Sequence, residues 1–264
     1  MDIIKVRNLT KRFGKLTAVD NISFSIKKGE MVAFLGPNGA GKTTTIKILT
    51  TLLSPTKGMV TVNGFSPTKE QYEVRKAFGI VFQDASLDDD LTAYENMEFH
   101  GVFYQVPKKV REERITYLLK FVDLWERKND LVKQFSGGMK RRLEVARALI
   151  HHPKMLFLDE PTIGLDPQTR NHIWQYIQKL NKEEGMTVFL TTHYMDEAEK
   201  VADKIAIIDH GKIVKQGTAK ELKQTTKTRS LEEAFLKLTG HSIRKEDSSS
   251  IDILRSQAKA WGRK

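Results

Sequence analysis

The segment "MVAFLGPNGAGKTTTIKIL", residues 31–49, constrains the fold more than any other part of the chain. Its apolar run at 31–36 reads as a short strand buried on both faces, followed by a glycine-rich loop and a helix starting near Lys42. In that context Gly36–Thr44 fits G-x-x-x-x-G-K-[ST]. Gly36, Gly39 and Gly41 let backbone N–H groups wrap phosphates, Lys42 reaches the β- and γ-phosphates, and Thr43 offers a hydroxyl to Mg²⁺. Asn38, Ala40 and Thr44 complete the nucleotide loop.

A second buried run, "KMLFLDE" at 154–160, ends in two carboxylates. Asp159 is placed to hold Mg²⁺ through water, and Glu160 to polarise an attacking water. Phosphoryl transfer needs little more than such positioning and charge neutralisation. "FSGGMKRRLEVARALI" at 135–150 then adds a second anion cup. Ser136 caps an amphipathic helix whose first N–H groups, at Gly137 and Gly138, carry the positive end of the macrodipole.

Elsewhere, strands are expected at 3–9, 21–30, 58–63, 79–82, 186–193, 204–209 and 212–216. Helices are expected at about 168–184 and 194–202. The pattern turns helical from about Leu91 to Ile150, so the chain reads as α/β with a helical insertion at about 84–150. Ser230–Gly240 reads as a short helix with a capping box at Ser230 and Glu233 and a stop at Gly240. Asp88, Asp89 and Asp90 read as a solvated loop and helix cap. His151 and His152 read as a helix end complementing the dipole. In the tail, Ile251, Leu254, Ala258 and Trp261 fall on one helical stripe beside Arg255, Lys259, Arg263 and Lys264. That stripe could dock on an anionic membrane or a partner, pack on its own domain, or fray.

With 39% hydrophobic and 29% charged residues, the composition is that of a globular protein. No cysteine is present, which removes disulfides and thiolate metal sites and makes a reducing cytoplasm the default. The N-terminus lacks an apolar signal region, and no apolar run approaches the roughly 18 residues of a membrane span. The net charge of +11 is scattered through helices without interleaved stacking aromatics, so nucleic acid is not expected as a partner.

Taken in order, "GPNGAGKTT", "FSGGM", "LFLDEP", "GLD" and a following histidine resemble the ABC ATPases (ATP-binding cassettes) over residues 2–222. The resemblance implies an α/β fold: a P-loop NTPase core of mixed sheet and flanking helices, an antiparallel β part and a helical subdomain. It implies a cassette over 1–222, with the helical subdomain at about 84–150, and a C-terminal helix and basic tail over 223–264. Phe13, in the loop after the first strand, resembles the aromatic that stacks on adenine; a surface or core phenylalanine is the alternative. Gln83 matches the glutamine that ligates Mg²⁺ and senses an attached membrane subunit. Asp166 matches the loop crossing between two cassettes, and His193 the γ-phosphate-sensing histidine. Ser136, Gly137 and Gly138 match the signature that binds the γ-phosphate of ATP held by another cassette. Phe135 and Met139 depart from the commoner Leu and Gln there.

ATP and Mg²⁺ are therefore the expected cofactors. The expected partners are a second copy or a homologous cassette, head to tail, and membrane-spanning permease subunits on separate chains. The expected location is peripheral, at the cytoplasmic face of the membrane. "FSGGMKRRLEVARAL", "TIGLDPQTR", "TTHYMDEAE" and "SLEEAFLKLTG" resemble the daunorubicin-resistance-type (ABC-2) exporters. A soluble mechanical ABC ATPase acting on ribosomes or DNA is the competing class. A P-loop kinase or GTPase leaves the signature and His193 unexplained.

Overall fold

Strand β3 (Met31–Leu35) is buried along its whole length because its two faces enter two different cores. Met31, Ala33 and Leu35 join one cluster, whereas Val32 and Phe34 join the other. Strands β6 (Met155–Asp159) and β7 (Thr187–Thr192) divide their apolar residues in the same way, which leaves Met155–Leu158 and Val188–Leu190 without polar positions. The structure is a computed structural model describing residues 1–240, so the tail stripe at 251–261 lies outside the described residues.

The main sheet runs β5-β6-β7-β3-β8-β9, with β5 (Phe78–Val81), β8 (Lys204–Asp209) and β9 (Lys212–Gly217). Its pairs are parallel except for β8 with β9. A smaller antiparallel sheet runs β2-β1-β4, from β1 (Asp2–Phe13), β2 (Leu16–Lys27) and β4 (Lys57–Val62). Between the sheets, Phe34 meets both Phe24 and Phe189 at 4.8 Å between ring centroids, in edge-on geometry. Helix α1 (Lys42–Leu49) and helix α2 (Gln71–Ala77) contribute to the same core. The opposite face carries α3 (Ala93–Phe103), α4 (Lys108–Phe121), α5 (Gly137–Ala148), α6 (Pro167–Glu184), α7 (Met195–Val201), α8 (Ala219–Thr226) and α9 (Leu231–Thr239).

Several expectations need correction. Strand β1 runs on past 9 to Phe13 and β2 starts before 21, at Leu16, because the polar ends of the two strands still pair across the hairpin, with several register shifts; β2 ends at Lys27, short of the expected 30. Helix α2 escapes the sequence pattern since only Val74 and Ala77 are buried. Helix α8 likewise buries only Leu222 and Thr226, although its Thr218–Glu221 capping box was a readable signal. It also runs across the expected 222/223 division, and Leu231 and Phe235 of α9 join the main core.

The box expected at Ser230 and Glu233 forms by half. Ser230 accepts from the Glu233 N–H, but the Glu233 carboxylate takes the N–H of Arg229 instead. The helix does stop at Gly240, in the left-handed region. The three aspartates do not cap α3: Thr92 does, in a complete box with Glu95. Asp89 and Asp90 pair with Lys140 and Lys133 instead.

His151 is not a charged complement to a helix end. Its ring stacks on Tyr104 at 3.8 Å and its Nε2 donates to the Phe78 carbonyl, while Nδ1 is buried without a partner. Burial, with Arg114 and His152 nearby, lowers its pKa to about 4. Burial and the charge of Arg147 lower that of His100 to about 3. Both rings are therefore neutral when folded but protonate near pH 6.5 when unfolded. Between those values the unfolded chain binds more protons, so stability falls as pH drops from 6.5 towards 4. The slope approaches roughly 1.4 kcal/mol per pH unit for each histidine. Urea midpoints measured across this range will show it, and His100→Phe will flatten the curve. An unchanged slope in that variant would count against the assignment.

Candidate functional site

The parallel register sets Leu35 beside Thr192 and Asp159 beside Thr191, so β3, β6 and β7 end at one edge of the sheet. Ligands in open α/β sheets bind outside such carboxyl ends. The loop leaving β3 passes close to its neighbours. A Cβ on Gly36 would lie 2.3 Å from the Ile208 carbonyl oxygen, and one on Gly41 2.4 Å from that of Ala18. Gly41 also has φ +103° and caps α1 without a side chain. Two of the three glycines assigned to phosphate wrapping are thus also required by packing. Ala40 anchors the loop through its carbonyl, which accepts from Gly211 N–H, and Asn38 and Gly39 are exposed at the tip. No acidic residue occupies the first turn of α1, leaving its positive end uncompensated by the helix itself.

Lys42 is only 4% exposed. Its Nζ donates to the carbonyls of Gly36 (2.7 Å) and Pro37 (3.2 Å) and pairs with Glu160 Oε1 at 3.0 Å. The other oxygen of Glu160 accepts from His193 Nδ1 at 2.8 Å, so the proton of a neutral His193 sits on Nδ1. Burial alone would raise the Glu160 pKa, but His193 and Lys42 outweigh it and hold the carboxyl below its usual range. Glu160 also has φ +50°, an uncommon backbone for a side chain of this size. It is held there by its N–H, which donates to both the carbonyl and the hydroxyl of Thr191.

Asp159 accepts from Thr191 Oγ1 at 2.6 Å and from Thr43 Oγ1 at 3.2 Å. Burial nevertheless pushes its pKa up, against those two hydrogen bonds. The carboxylate is short of positive charge, and a hydroxyl lies beside it. That donor set of hard oxygens suits a small divalent cation.

Lys42, Thr43, Asp159, Glu160 and His193 thus form one connected cluster, with Thr44 half-buried next to it in α1. A second group gathers elsewhere in the chain. Ser136 caps α5 by accepting from Met139 N–H, and a Cβ on Gly138 would lie 2.5 Å from Thr169 Cγ2. Asp166 caps α6 through the N–H and hydroxyl of that same Thr169. The Met139 thioether accepts from Arg127 at 3.6 Å, and the Arg127 guanidinium lies 5.4 Å from the ring centroid of buried Phe135. The two departures from the commoner signature therefore share one arginine.

Phe13 is the last residue of β1 and not a loop residue; it is 45% exposed, with the Lys11 ammonium 4.9 Å from its ring centroid. Gln83 follows β5 with its side chain exposed. Thr191 was missed by sequence reasoning. Its signal is a pair of threonines directly after the apolar run Val188–Leu190 of a buried strand.

The ABC transporter family model matches residues 19–163. The chain is 45% identical to the linearmycin resistance ATP-binding protein LnrL of Bacillus subtilis, over 83% of this chain and 70% of that protein. It is 41% identical to the daunorubicin resistance ATP-binding protein DrrA3 of Streptomyces coeruleorubidus, over 84% and 70%. The Nod factor export ATP-binding protein I of Ralstonia nicotianae is 41% identical over 83% and 68%. Among solved structures, the dimeric ADP- and phosphate-bound cassette MJ0796, in a post-hydrolysis state, superposes with a TM-score of 0.74 at 33% identity, over 81% of this chain and 98% of that one.

Proposed function

The chain belongs to the ABC transporter family as an ATP-hydrolysing, ATP-binding subunit, and from that premise we propose that it powers an exporter through separate membrane-spanning chains. The observation that carries the proposal is the division between two half-sites. One is the cluster around Lys42 and Glu160, and the other is the Ser136 cup on α5. Two copies, or this chain and a homologue, placed head to tail set each cup over the other's nucleotide.

In this reading Lys42 exchanges its carbonyl and Glu160 partners for the β- and γ-phosphates. Backbone N–H groups of Gly36–Thr44 wrap the phosphates, and Phe13 offers its exposed ring to adenine. Glu160 then accepts a hydrogen bond from the attacking water, while His193 keeps the carboxylate ionised and aimed. Mg²⁺, when bound, neutralises phosphate charge; Thr43, Asp159 and Gln83 are the residues that would hold it. Asp166 contributes from the loop that meets the partner cassette.

Relatives named for drug resistance and Nod factor export support the ABC-2 exporter branch over an action on ribosomes or DNA. Among the described residues no helix is long and apolar enough to cross a membrane. From its membership of a transporter family as an ATP-binding subunit, we place the chain peripherally, at the cytoplasmic face, on its permease. The chain will accordingly sediment with membranes from its native cells, be released by detergent, and co-purify with an integral membrane protein. Recovery with ribosomes or nucleic acid instead would overturn the reading.

A further inference from the structure

Parallel register places Thr191 of β7 directly beside Asp159, the last residue of β6. Both side chains are shut off from solvent. The Thr191 hydroxyl has two partners there. It donates to Asp159 Oδ1 at 2.6 Å and accepts from the backbone N–H of Glu160 at 3.1 Å. One oxygen therefore bridges the residue that would hold Mg²⁺ and the residue that would activate water. Thr192 takes no part in this bridge, because its hydroxyl accepts from Tyr194 N–H at the start of α7. Successive residues of a strand face opposite ways, so one of two adjacent threonines serves the cluster.

Thr43 also donates to Asp159 Oδ1, at the longer distance of 3.2 Å. The two hydroxyls are not equivalent. In the proposed function the Thr43 oxygen turns to the cation, and its hold on Asp159 is then shared with the metal. The Thr191 oxygen already accepts from Glu160 N–H, and its proton goes to Asp159. Such a chain of donors polarises each of its bonds. The branched side chain has few rotamers, so this donor is fixed before any ligand arrives.

We propose that Thr191 is a positioning residue for the Mg²⁺ site, its hydroxyl fixing the Asp159 carboxylate from the neighbouring strand and tying it to the backbone of Glu160. The proposal rests on the reading of Asp159 as a residue that holds Mg²⁺. Groups that hydrogen-bond a metal-ligating side chain set its orientation, and losing one costs about 10- to 100-fold in metal affinity. Glu160 N–H also donates to the Thr191 carbonyl, at 3.1 Å, which no change of the side chain removes. Loss of the hydroxyl thus falls on Asp159 and not on the left-handed backbone of Glu160.

The test is Thr191→Val, which keeps the branched shape suited to a strand and replaces the hydroxyl by a methyl. Thr191→Ala removes the hydroxyl without adding an apolar group beside the carboxylate. Thr191→Ser keeps the hydroxyl, loses a buried methyl, and is the conservative control. Binding of a non-hydrolysable ATP analogue to the full chain is measured by calorimetry across a Mg²⁺ series. The Mg²⁺ concentration that gives half of the gain in affinity is expected to rise about tenfold or more in Thr191→Val and Thr191→Ala. In Thr191→Ser it is expected within about twofold of the wild type, since the donor is retained. Affinity without Mg²⁺ stays within about twofold in all three, because Lys42 is untouched.

Asp159→Asn separates the two failures. If it leaves the Mg²⁺ dependence unchanged, the reading of Asp159 falls and the proposal falls with it. If it shifts that dependence while Thr191→Val and Thr191→Ala do not, the role of Thr191 is overturned and that of Asp159 stands. A shift in Thr191→Ser as large as in Thr191→Val, following the loss of melting temperature, would also overturn it, as a merely structural role.

Discussion

Glu160→Gln is expected to bind ATP at least as tightly as the wild type and to hydrolyse it some 10² to 10⁴ times more slowly, the usual contribution of a positioned base. The substitution keeps the shape of the side chain and removes its charge. In the wild type that charge faces two groups, Lys42 Nζ at 3.0 Å and His193 Nδ1 at 2.8 Å. Both stabilise the ionised form, and the lowered pKa of Glu160 means that it is a carboxylate at neutral pH. An amide can still take the His193 hydrogen bond through its oxygen, so the local backbone, held by Thr191, has no reason to move. It cannot accept a proton from water. It also competes less for Lys42, which is then freer to meet phosphate. With binding retained and turnover stalled, the ATP-bound head-to-tail dimer accumulates instead of dissociating. Phosphate release, nucleotide binding and light scattering in ATP and Mg²⁺ together check this. A variant that is nucleotide-loaded yet strictly monomeric would count against the two-half-site arrangement.

The phosphate loop was legible because its signals are local. A strand buried on both faces has no polar positions, and the loop and helix follow it directly in the chain. The double duty of Gly36 and Gly41 was not legible, since the carbonyls they approach belong to Ile208 and Ala18, on strands remote in sequence. Glu160 and His193 could be placed by motif, but not the Lys42 pair that helps to fix the charge of Glu160.

Helix α2 and helix α8 failed for the opposite reason. Each buries two residues only, which is too little periodicity to read. His151 was misread because a sequence shows a histidine at a helix end but not the Tyr104 ring that covers it. The contact of Thr191 with Asp159 joins positions far apart in the chain, and a single sequence carries no trace of such a pairing. Chain-local geometry was readable from the sequence; the meeting of two distant segments was supplied only by the fold.

Lys42→Ala is expected to abolish productive nucleotide binding. The ammonium is held by two loop carbonyls and Glu160, which leaves it almost fully buried at the N-terminus of α1. A charged donor fixed there meets phosphate with little loss of side-chain freedom. Charge-assisted hydrogen bonds of this kind are worth about 1.5–3 kcal/mol each, so losing contacts to two phosphates costs on the order of a hundredfold or more in affinity. A second cause could mimic the result. Without Lys42, Glu160 keeps only His193 against its burial, its pKa rises, and a carboxylate facing the phosphates is left unscreened. The double variant Lys42→Ala/Glu160→Gln distinguishes the two. If repulsion from Glu160 were the reason, removing its charge would restore binding; if the ammonium itself grips the phosphates, binding stays lost. The second result is expected, measured by calorimetric titration with ATP in a protein whose melting profile shows that it is folded. Wild-type turnover in Lys42→Ala would overturn the assignment of the phosphate loop.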